Sequence, residues 1–161
     1  MAEISEIEKQ FGNRLRVRVC GILIENDCVL LVKHKGLGEK DVLWSPPGGG
    51  VEYGFSIQDN LVREFEEETG LIVKICDFLY ASEFLNKPLH AIELFFQVER
   101  VSGILKKGFD PELTENNQII EDVSMKDFYE LKKMDQLKLH RILRSRTKPS
   151  ELLNRQGFLN F

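Results

Sequence analysis

Apolar and polar residues alternate along the first predicted strand of the chain. Between positions 14 and 24 the apolar residues are Leu15, Val17 and Val19, and the basic residues between them are Arg14, Arg16 and Arg18. This two-residue period is typical of a strand that packs one face on a core. The pair Asn26-Asp27 separates it from a second apolar run, residues 28 to 34, which predicts a hairpin. We expect the arginine face to lie in solvent, with a phosphate-binding face as the alternative.

A four-residue period replaces the alternation between positions 57 and 69. Ile57, Leu61 and Phe65 would form one apolar stripe on a helix. Ser56 is a typical N-cap residue, and Gly70 is typical of the position that follows a helix C-terminus. The pattern therefore predicts a helix over residues 57 to 69.

Strand and helix signals continue to the end of the chain. The predicted strands cover residues 71 to 78, 80 to 84, 89 to 98, 101 to 105 and 119 to 123. A helix capped by Ser124 and a second helix over residues 136 to 145 are expected to follow. This order indicates an α/β or α+β fold, and the length of 161 residues fits one domain over residues 1 to 161.

Both ends of the chain carry apolar residues that need a partner surface. Ile4, Ile7 and Phe11 follow a helical spacing, so residues 1 to 12 are expected to form a packed N-terminal arm. The tail, residues 147 to 161, is rich in leucine and phenylalanine, and such a segment is rarely left exposed. We expect the tail to dock on its own domain or on the second subunit of a homodimer.

Composition narrows the functional classes. A net charge of -4 and a pI near 5.5, without a long Lys/Arg run, argue against a nucleic-acid-binding protein. The chain lacks an apolar stretch of the ~18 residues that a membrane span needs, and its N-terminus does not resemble a signal peptide. Cys20, Cys28 and Cys76 lack a C-x-x-C spacing, so they are predicted to be buried free thiols in a reducing compartment. The expected location is the cytoplasm.

Three glutamates share one face of the predicted helix. Glu64 lies three and four residues before Glu67 and Glu68, so the carboxylates would be neighbours. Like charges at this spacing repel each other, and a divalent cation would turn the repulsion into attraction. Oxygen ligands without histidine or cysteine favour a hard ion, Mg2+ or Mn2+. The alternative is an ordinary solvated acidic face.

A run of three glycines and the acidic helix together resemble a known signature. Gly48, Gly49 and Gly50 would let a ligand approach the backbone closely. Residues 49 to 71 resemble the signature of the Nudix hydrolase family, G-x5-E-x7-R-E-U-x-E-E-x-G-U, in which U is a bulky apolar residue. The matching positions are Gly49, Arg63, Glu64, Phe65, Glu67, Glu68, Gly70 and Leu71. One position departs, because Phe55 stands where the family has a glutamate that orients the arginine.

The resemblance implies a fold and an activity. The fold is an α/β/α sandwich around a mixed β-sheet. The activity is metal-dependent hydrolysis of the pyrophosphate in a nucleoside diphosphate linked to another moiety, with ADP-ribose and nucleoside triphosphates as examples of such small molecules. The alternative is a non-catalytic module of the same fold that binds or senses a nucleotide derivative, since one signature position has changed.

The resemblance also implies roles for individual residues. The implied ligands of Mg2+ or Mn2+ are Glu64, Glu67 and Glu68. Arg63 would orient these carboxylates. The implied substrate contacts are Gly48, Gly49, Gly50 and Tyr53. The aromatic residue that stacks on the base is one of Tyr53, Phe55, Tyr80 and Phe84.

The general base differs among members of the family, being a signature glutamate in some and a glutamate of a late loop in others. The candidates in this chain are Glu67, Glu68, Glu112 and Glu115. Glu112 and Glu115 belong to a polar, turn-rich segment, residues 108 to 118, and irregular segments of this length are often functional. We expect the segment to close over the substrate and to supply the base or a recognition contact. A solvated acidic connector is the alternative.

Overall fold

A mixed β-sheet forms the centre of the computed structural model, which describes residues 6 to 160. The strands are β1 (Leu15–Glu25), β2 (Cys28–Lys35), β3 (Val42–Ser45), β4 (Gly48–Gly50), β5 (Leu71–Asn86), β6 (Leu89–Gly103), β7 (Ile120–Asp127) and β8 (Phe158–Leu159). The α-helices are α1 (Glu6–Phe11), α2 (Ile57–Thr69), α3 (Phe128–Lys133) and α4 (Ser150–Leu153), and short 3-10 helices cover Glu115–Asn117, Gln136–Lys138 and Arg141–Leu143. The main strand order is β3-β2-β1-β6-β5-β8, while β4 pairs with β1 and β7 pairs with β2.

Strand β1 holds the short glycine strand, β4, in place. It runs parallel to β6 and antiparallel to β2 and β4, with Val19 opposite Gly49. A Cβ atom on Gly48 would collide with the carbonyl oxygen of Val19. The close approach of the two strands therefore requires glycine at position 48.

The sheet carries a hydrophobic core on each face. Val19 and Leu23 of β1 pack in the cluster that contains Phe65 of α2. Cys20 and Ile22, the alternate residues of the same strand, pack in the cluster formed with α3, α4 and the 3-10 segments. Successive side chains of a strand point to opposite faces, so β1 serves both cores. The helices thus cover both faces of a mixed sheet, and the expected α/β/α architecture is confirmed.

The local predictions for the hairpin and the acidic helix are confirmed. Asn26 and Asp27 have φ values of 49° and 59° and join β1 to β2 in a tight antiparallel hairpin. The helix α2 spans residues 57 to 69, and its N-cap Ser56 accepts a hydrogen bond from a first-turn N–H group at 3.0 Å. Gly70 ends the helix in the left-handed conformation, with φ of 71°.

The structure joins strands that the sequence pattern divides. Strand β5 is continuous where separate strands over residues 71 to 78 and 80 to 84 are predicted. Strand β6 likewise runs without a break from the predicted strand 89 to 98 into the predicted strand 101 to 105, but it ends at residue 103. Register shifts between β5 and β6 near Ile75 and Phe78 break the apolar alternation without ending the pairing.

Two predictions for the C-terminal third are wrong. Ser124 lies inside β7, and the residue that caps α3 is Asp127. Residues 136 to 145 form two short 3-10 turns instead of one helix. The backbone N–H of His140 donates to the carbonyl oxygen of Trp44 at 2.8 Å, so pairing with β3 holds the chain extended between the turns.

The two ends of the described chain pack on the sheet. Phe11 of α1 is buried, whereas Ile4 of the predicted arm lies outside the described residues. In the tail, Leu152 of α4 is fully buried, and β8 pairs with β5 in parallel. Phe161 lies outside the described residues.

The cysteines differ in exposure. All three are free thiols, and Cys20 is buried as predicted. Cys28 is half-buried and Cys76 is exposed, so the prediction of buried thiols is wrong for Cys76. Between residues 6 and 160, no helix is both long and apolar enough to span a membrane.

Candidate active site

A cleft opens beside the glycine strand β4, and residues 108 to 118 supply part of its wall. Its polar lining consists of Arg16, Arg18, His34, Gly48, Gly49, Gly50, Glu64, Glu68, His90, Asp110 and Glu112. Its apolar lining consists of Phe11, Leu37, Phe84, Leu89, Ala91 and Ile119. The cleft therefore combines carboxylates, arginines and an apolar wall in one space.

Glu64 and Glu68 of α2 are buried in this cleft, with 6% and 4% of their surface exposed. The backbone N–H of Gly48 donates a hydrogen bond to Oε2 of Glu68 at 3.0 Å. A Cβ atom on Gly49 would collide with the carboxylate of Glu64, so this carboxylate lies directly against the backbone of β4. Helix α2 and the glycine strand thus place two carboxylates directly against backbone.

The charge of the Glu64 carboxylate is poorly compensated. Burial, together with the charge of the neighbouring Glu68 carboxylate, raises the pKa of Glu64 to about 8. Both effects disfavour the ionised form of Glu64. A hard divalent cation between oxygen ligands would offset both of them.

Glu67 does not share the cleft with Glu64 and Glu68. Its carboxylate lies 3.2 Å from Nη1 of Arg63, and it lines a neighbouring cavity with Phe109. Among the residues from 6 to 160, no three acidic, histidine or cysteine side chains converge to form a ready-made metal site. The structure thus brings together two of the three predicted metal ligands.

Arg63 has a carboxylate partner that the sequence pattern did not indicate. Its Nη2 atom lies 2.9 Å from Oε1 of Glu52 and 3.3 Å from Oε1 of Glu64. The same nitrogen donates to Oδ1 of Asn60 at 3.1 Å. The side chain of Phe55, which replaces the family glutamate, is exposed, and the backbone N–H of Phe55 donates to the carbonyl oxygen of Glu52 at 3.2 Å. Glu52 therefore supplies a carboxylate for Arg63 from three positions earlier.

The four aromatic candidates for base stacking lie in different environments. Tyr53, a predicted substrate contact, is fully exposed and lies outside the lining of the cleft. Phe55 is also exposed, and Tyr80 is fully buried in the core beside Phe95. Phe84 lines the cleft. Of the four candidates, the structure places Phe84 where a ligand could reach it.

Arg16 and Arg18 face the cleft, so the expectation of a solvent-facing arginine strand is wrong for both. Nη2 of Arg18 donates to the carbonyl oxygen of Gly48 at 3.3 Å, and Nη1 lies 3.8 Å from Oε1 of Glu93. Nη2 of Arg16 lies 3.5 Å from Oε2 of Glu112. Arg14 is the exposed member of the series. The alternation of apolar and basic residues showed that the arginines share one face of β1, but it did not show that this face borders the cleft.

A buried pair of a histidine and a carboxylate lies behind Arg18. Nε2 of His140 is 2.8 Å from Oε2 of Glu93, and both side chains are almost completely buried. Burial by itself would raise the pKa of Glu93, but His140 and Arg18 together lower it below the ordinary value. The pair connects the C-terminal 3-10 segment to the arginine that holds the glycine strand.

The segment from residue 108 to residue 118 is tied to the end of α2. The N–H of Gly108 donates to the carbonyl oxygen of Glu68 at 2.9 Å. Asp110 and Glu112 line the cleft, whereas Glu115 is exposed and lies outside its lining. Of the two loop glutamates proposed as a base, the structure therefore brings only Glu112 to the site.

Three further cleft residues had little or no signal in the sequence. His34 lies with Nε2 3.7 Å from Oε1 of Glu68, although an isolated histidine at a strand end indicates nothing specific. Asp110 is one of several acidic residues in a polar segment. Phe11 reaches the cleft from α1, which is distant in sequence from the signature.

Comparison with known proteins identifies the family. The model of the NUDIX domain matches residues 14 to 144, which include β1 to β7 and every polar residue of the cleft. The chain belongs to the Nudix family. The resemblance of residues 49 to 71 to the Nudix signature is thereby confirmed, despite Phe55.

Relatives of this Nudix chain include proteins with stated activities. Over 96 residues it is 38% identical to an ADP-ribose pyrophosphatase of Methanocaldococcus jannaschii, a match that covers 58% of this chain and 56% of the relative. The chain thus spans about half the length of that relative. A NUDIX hydrolase from Nitrosomonas europaea has a TM-score of 0.64 at 21% identity, covering 80% of this chain and 81% of its own. A UDP-X diphosphatase has a TM-score of 0.61 at 22% identity, covering 91% and 68%. The two structural matches show the shared fold.

Proposed function

We propose that this Nudix chain is a divalent-cation-dependent pyrophosphohydrolase that acts on a nucleoside diphosphate linked to another moiety. The observation that carries the proposal is the pair of buried carboxylates, Glu64 and Glu68, in one cleft with two arginines. Carboxylates alone would repel a diphosphate, and arginines alone would not hold a cation. Both are needed where a cation and a phosphate chain bind side by side.

The cleft residues fit Mg2+ or Mn2+. Glu64 and Glu68 would hold the ion through carboxylate oxygens, and its charge would remove the penalty that raises the pKa of Glu64. When bound, such an ion polarises phosphoryl oxygens and lowers the pKa of water. Participation of Glu67, which is paired with Arg63, stays a prediction.

The protein groups around the cleft position and neutralise the reacting phosphates. Arg16 and Arg18 would offset negative charge on the phosphoryl oxygens. Arg63 would fix the carboxylate of Glu64 through the network with Glu52. The proton of the attacking water would pass to a carboxylate of the cleft, since the alternative base Glu115 is exposed elsewhere.

ADP-ribose is the first substrate to test. One relative is named for its pyrophosphatase activity on ADP-ribose, and a structural neighbour is named for a UDP-linked substrate. Both names describe a nucleoside diphosphate joined to a second group. The apolar lining, with Phe11, Phe84 and Leu89, suits the uncharged parts of such a molecule.

The test is a screen of ADP-ribose, UDP-sugars and nucleoside triphosphates with Mg2+, Mn2+ or EDTA, with products separated by chromatography. We expect cation-dependent cleavage of ADP-ribose to AMP and ribose 5-phosphate. Glu68→Gln should lower turnover at least a hundredfold, a factor of the order of those assigned to single catalytic groups. Glu66→Gln, on an exposed position of the same helix, is the matched control. Absence of cleavage of every nucleotide, or full activity in Glu68→Gln, would overturn the proposal.

The structure weakens the argument for the alternative function, a non-catalytic module that binds a nucleotide derivative. That alternative depended on Phe55, which leaves Arg63 without its usual carboxylate partner. Glu52, at 2.9 Å from Arg63, occupies that role and supports the hydrolase proposal.

A further inference from the structure

Two arginines from alternate positions of β1 lie against the glycine strand. A Cβ atom on Gly50 would collide with Nη2 of Arg16, so this guanidinium rests directly on the backbone of β4. Arg18 donates to the carbonyl oxygen of Gly48 at the other end of the same three-residue strand. Because the arginines are two residues apart on one strand, they share a face. Two planar cations therefore border the part of the cleft next to Glu64 and Glu68.

Neither guanidinium is fully satisfied by the residues described. Nε of Arg18 is buried and has no hydrogen-bond partner among residues 6 to 160. Arg16 stacks on Phe11, with its Cζ atom 4.4 Å from the ring centroid, and its ion pair with Glu112 is long, at 3.5 Å. Burial, reinforced by the charge of Arg18, lowers the pKa of Arg16 to about 10. Arg16 is thus a cation that an additional anion would stabilise, and Arg18 beside it keeps one buried N–H without a partner among the same residues.

Glu112 is suited to leave Arg16. Hydrogen bonds of the Gln118 side chain and of the Glu112 backbone hold its segment, residues 108 to 118, but the Glu112 side chain itself is partly exposed, at 26%. Burial raises the pKa of Glu112 although Arg16 opposes the shift, so the carboxylate is itself poorly placed. A phosphoryl group offers a guanidinium two oxygens at once and is a stronger partner than a single distant carboxylate oxygen.

We infer that Arg16 and Arg18 form an anion subsite for a phosphoryl group of the substrate, and that Glu112 is a displaceable counterion of Arg16. This inference rests on the proposed function, because it assigns part of the diphosphate to the arginine pair. It gives Glu112 the role of a competitor of the substrate rather than that of a general base. The two roles predict different effects of Glu112→Gln. Loss of a general base would lower turnover, whereas loss of a competing counterion would lower the dissociation constant for the phosphate ligand.

Removal of Arg16 and removal of Glu112 should change phosphate binding in opposite directions. In Arg16→Gln the dissociation constant for ADP should rise at least tenfold, since hydrogen bonds to charged groups contribute about 1.5 to 3 kcal/mol, or roughly ten- to more than a hundredfold. Arg16→Lys should fall between this variant and the wild type, because it keeps the charge and loses the planar fork. In Glu112→Gln the dissociation constant should fall at least threefold, because the competing carboxylate charge is gone.

The measurement is calorimetric titration of the full chain with ADP, with Mg2+ and again with EDTA. Arg14→Gln and Glu115→Gln are the controls, since each makes the same chemical change on an exposed residue nearby in the sequence. Both controls should bind ADP within twofold of the wild type. If Arg16→Gln does not fold, Arg16→Lys decides the outcome by the same criterion of weaker binding.

The inference is overturned if the wild type does not bind ADP in either condition or if the Arg16 variants bind it as the wild type does. It is also overturned if Glu112→Gln binds ADP more weakly than the wild type. A fall in turnover of a hundredfold or more in Glu112→Gln would instead assign the base to that residue. ADP binding is measured at equilibrium and does not depend on hydrolysis. If the Arg16 and Glu112 variants change ADP binding as expected but no nucleotide is hydrolysed, the proposed activity is refuted and the anion subsite is still supported.

Discussion

Replacing Glu93 by glutamine is expected to destabilise the fold by about 3 kcal/mol, the lower end of the ~3 to 5 kcal/mol found when one partner of a buried ion pair is removed. The carboxylate lies 2.8 Å from Nε2 of His140, and the two side chains are only 2% and 5% exposed. Arg18, which is partly buried, lies 3.8 Å from the other carboxylate oxygen. Glutamine keeps the shape and one hydrogen bond but removes the negative charge that faces His140 and Arg18.

A second pair in the chain provides a matched control. Glu83 and His90 face each other at the same 2.8 Å, but their side chains are 46% and 36% exposed. Exposed pairs contribute about 0.2 to 1 kcal/mol, so Glu83→Gln should cost a small fraction of what Glu93→Gln costs. Urea denaturation of both variants, followed by circular dichroism, gives the two free energies of unfolding. Equal losses in the two variants would refute the reasoning, because burial is the difference between the pairs.

The dependence on pH provides an independent check. Burial acts to raise the pKa of Glu93, but His140 and Arg18 lower it below its usual 4.5. On acidification the unfolded chain therefore takes up this proton before the folded chain does. The stabilising contribution is present above pH 4.5 and disappears as the pH falls through the folded value. The difference in stability between the wild type and Glu93→Gln should accordingly shrink below pH 4.5, and a difference that grows would contradict this assignment.

Three further predictions concern helix α2 and the segments that contact it. Mg2+ should stabilise the wild type by ~2.7 kcal/mol at a hundredfold excess over the dissociation constant, and so raise its melting temperature. The effect should be far smaller in Glu68→Gln. Identical melting curves of the wild type with Mg2+ and with EDTA would count against a cation site. Glu52→Gln should lower turnover by loosening Arg63, whereas Phe55→Glu, at an exposed position, should fold normally and change the rate modestly or raise it. A steady-state assay compares these two variants, and the reverse order of effects would contradict the role of Glu52. Gly108→Ala should destabilise the fold by about 1 kcal/mol or more, as overpacking substitutions typically do, because the new Cβ would collide with a carbonyl oxygen of α2. Thermal unfolding measures this loss.

Structural elements that depend on interactions within a few residues could be predicted from the sequence alone. The helix from residue 57 to residue 69 follows from its apolar spacing together with Ser56 and Gly70, which cap it through contacts with neighbouring backbone. The hairpin at Asn26-Asp27 follows from residues that tolerate positive φ. The spacing of glycine, arginine and glutamates from residue 49 to residue 71 indicated the family, because these residues act together on one helix and the strand before it.

Contacts between distant segments were decided only by the tertiary structure. Residues 136 to 145 have a helical pattern, yet the hydrogen bond from His140 to Trp44 of β3 divides them into two turns. Glu67 and Glu68, three and four residues after Glu64, are both its neighbours in a helical pattern. In the folded chain, Glu68 accepts a hydrogen bond from Gly48 of β4, whereas Glu67 pairs with Arg63.

The arginines of β1 show the same limit. A two-residue period establishes that Arg14, Arg16 and Arg18 share a face of a strand, but it does not say what lies over that face. In the folded chain β4, α1 and the segment from residue 108 to residue 118 enclose Arg16 and Arg18 and leave Arg14 in solvent. These segments are far apart along the chain, so the change from a solvated surface to a partly buried cationic wall is a property of the packing alone.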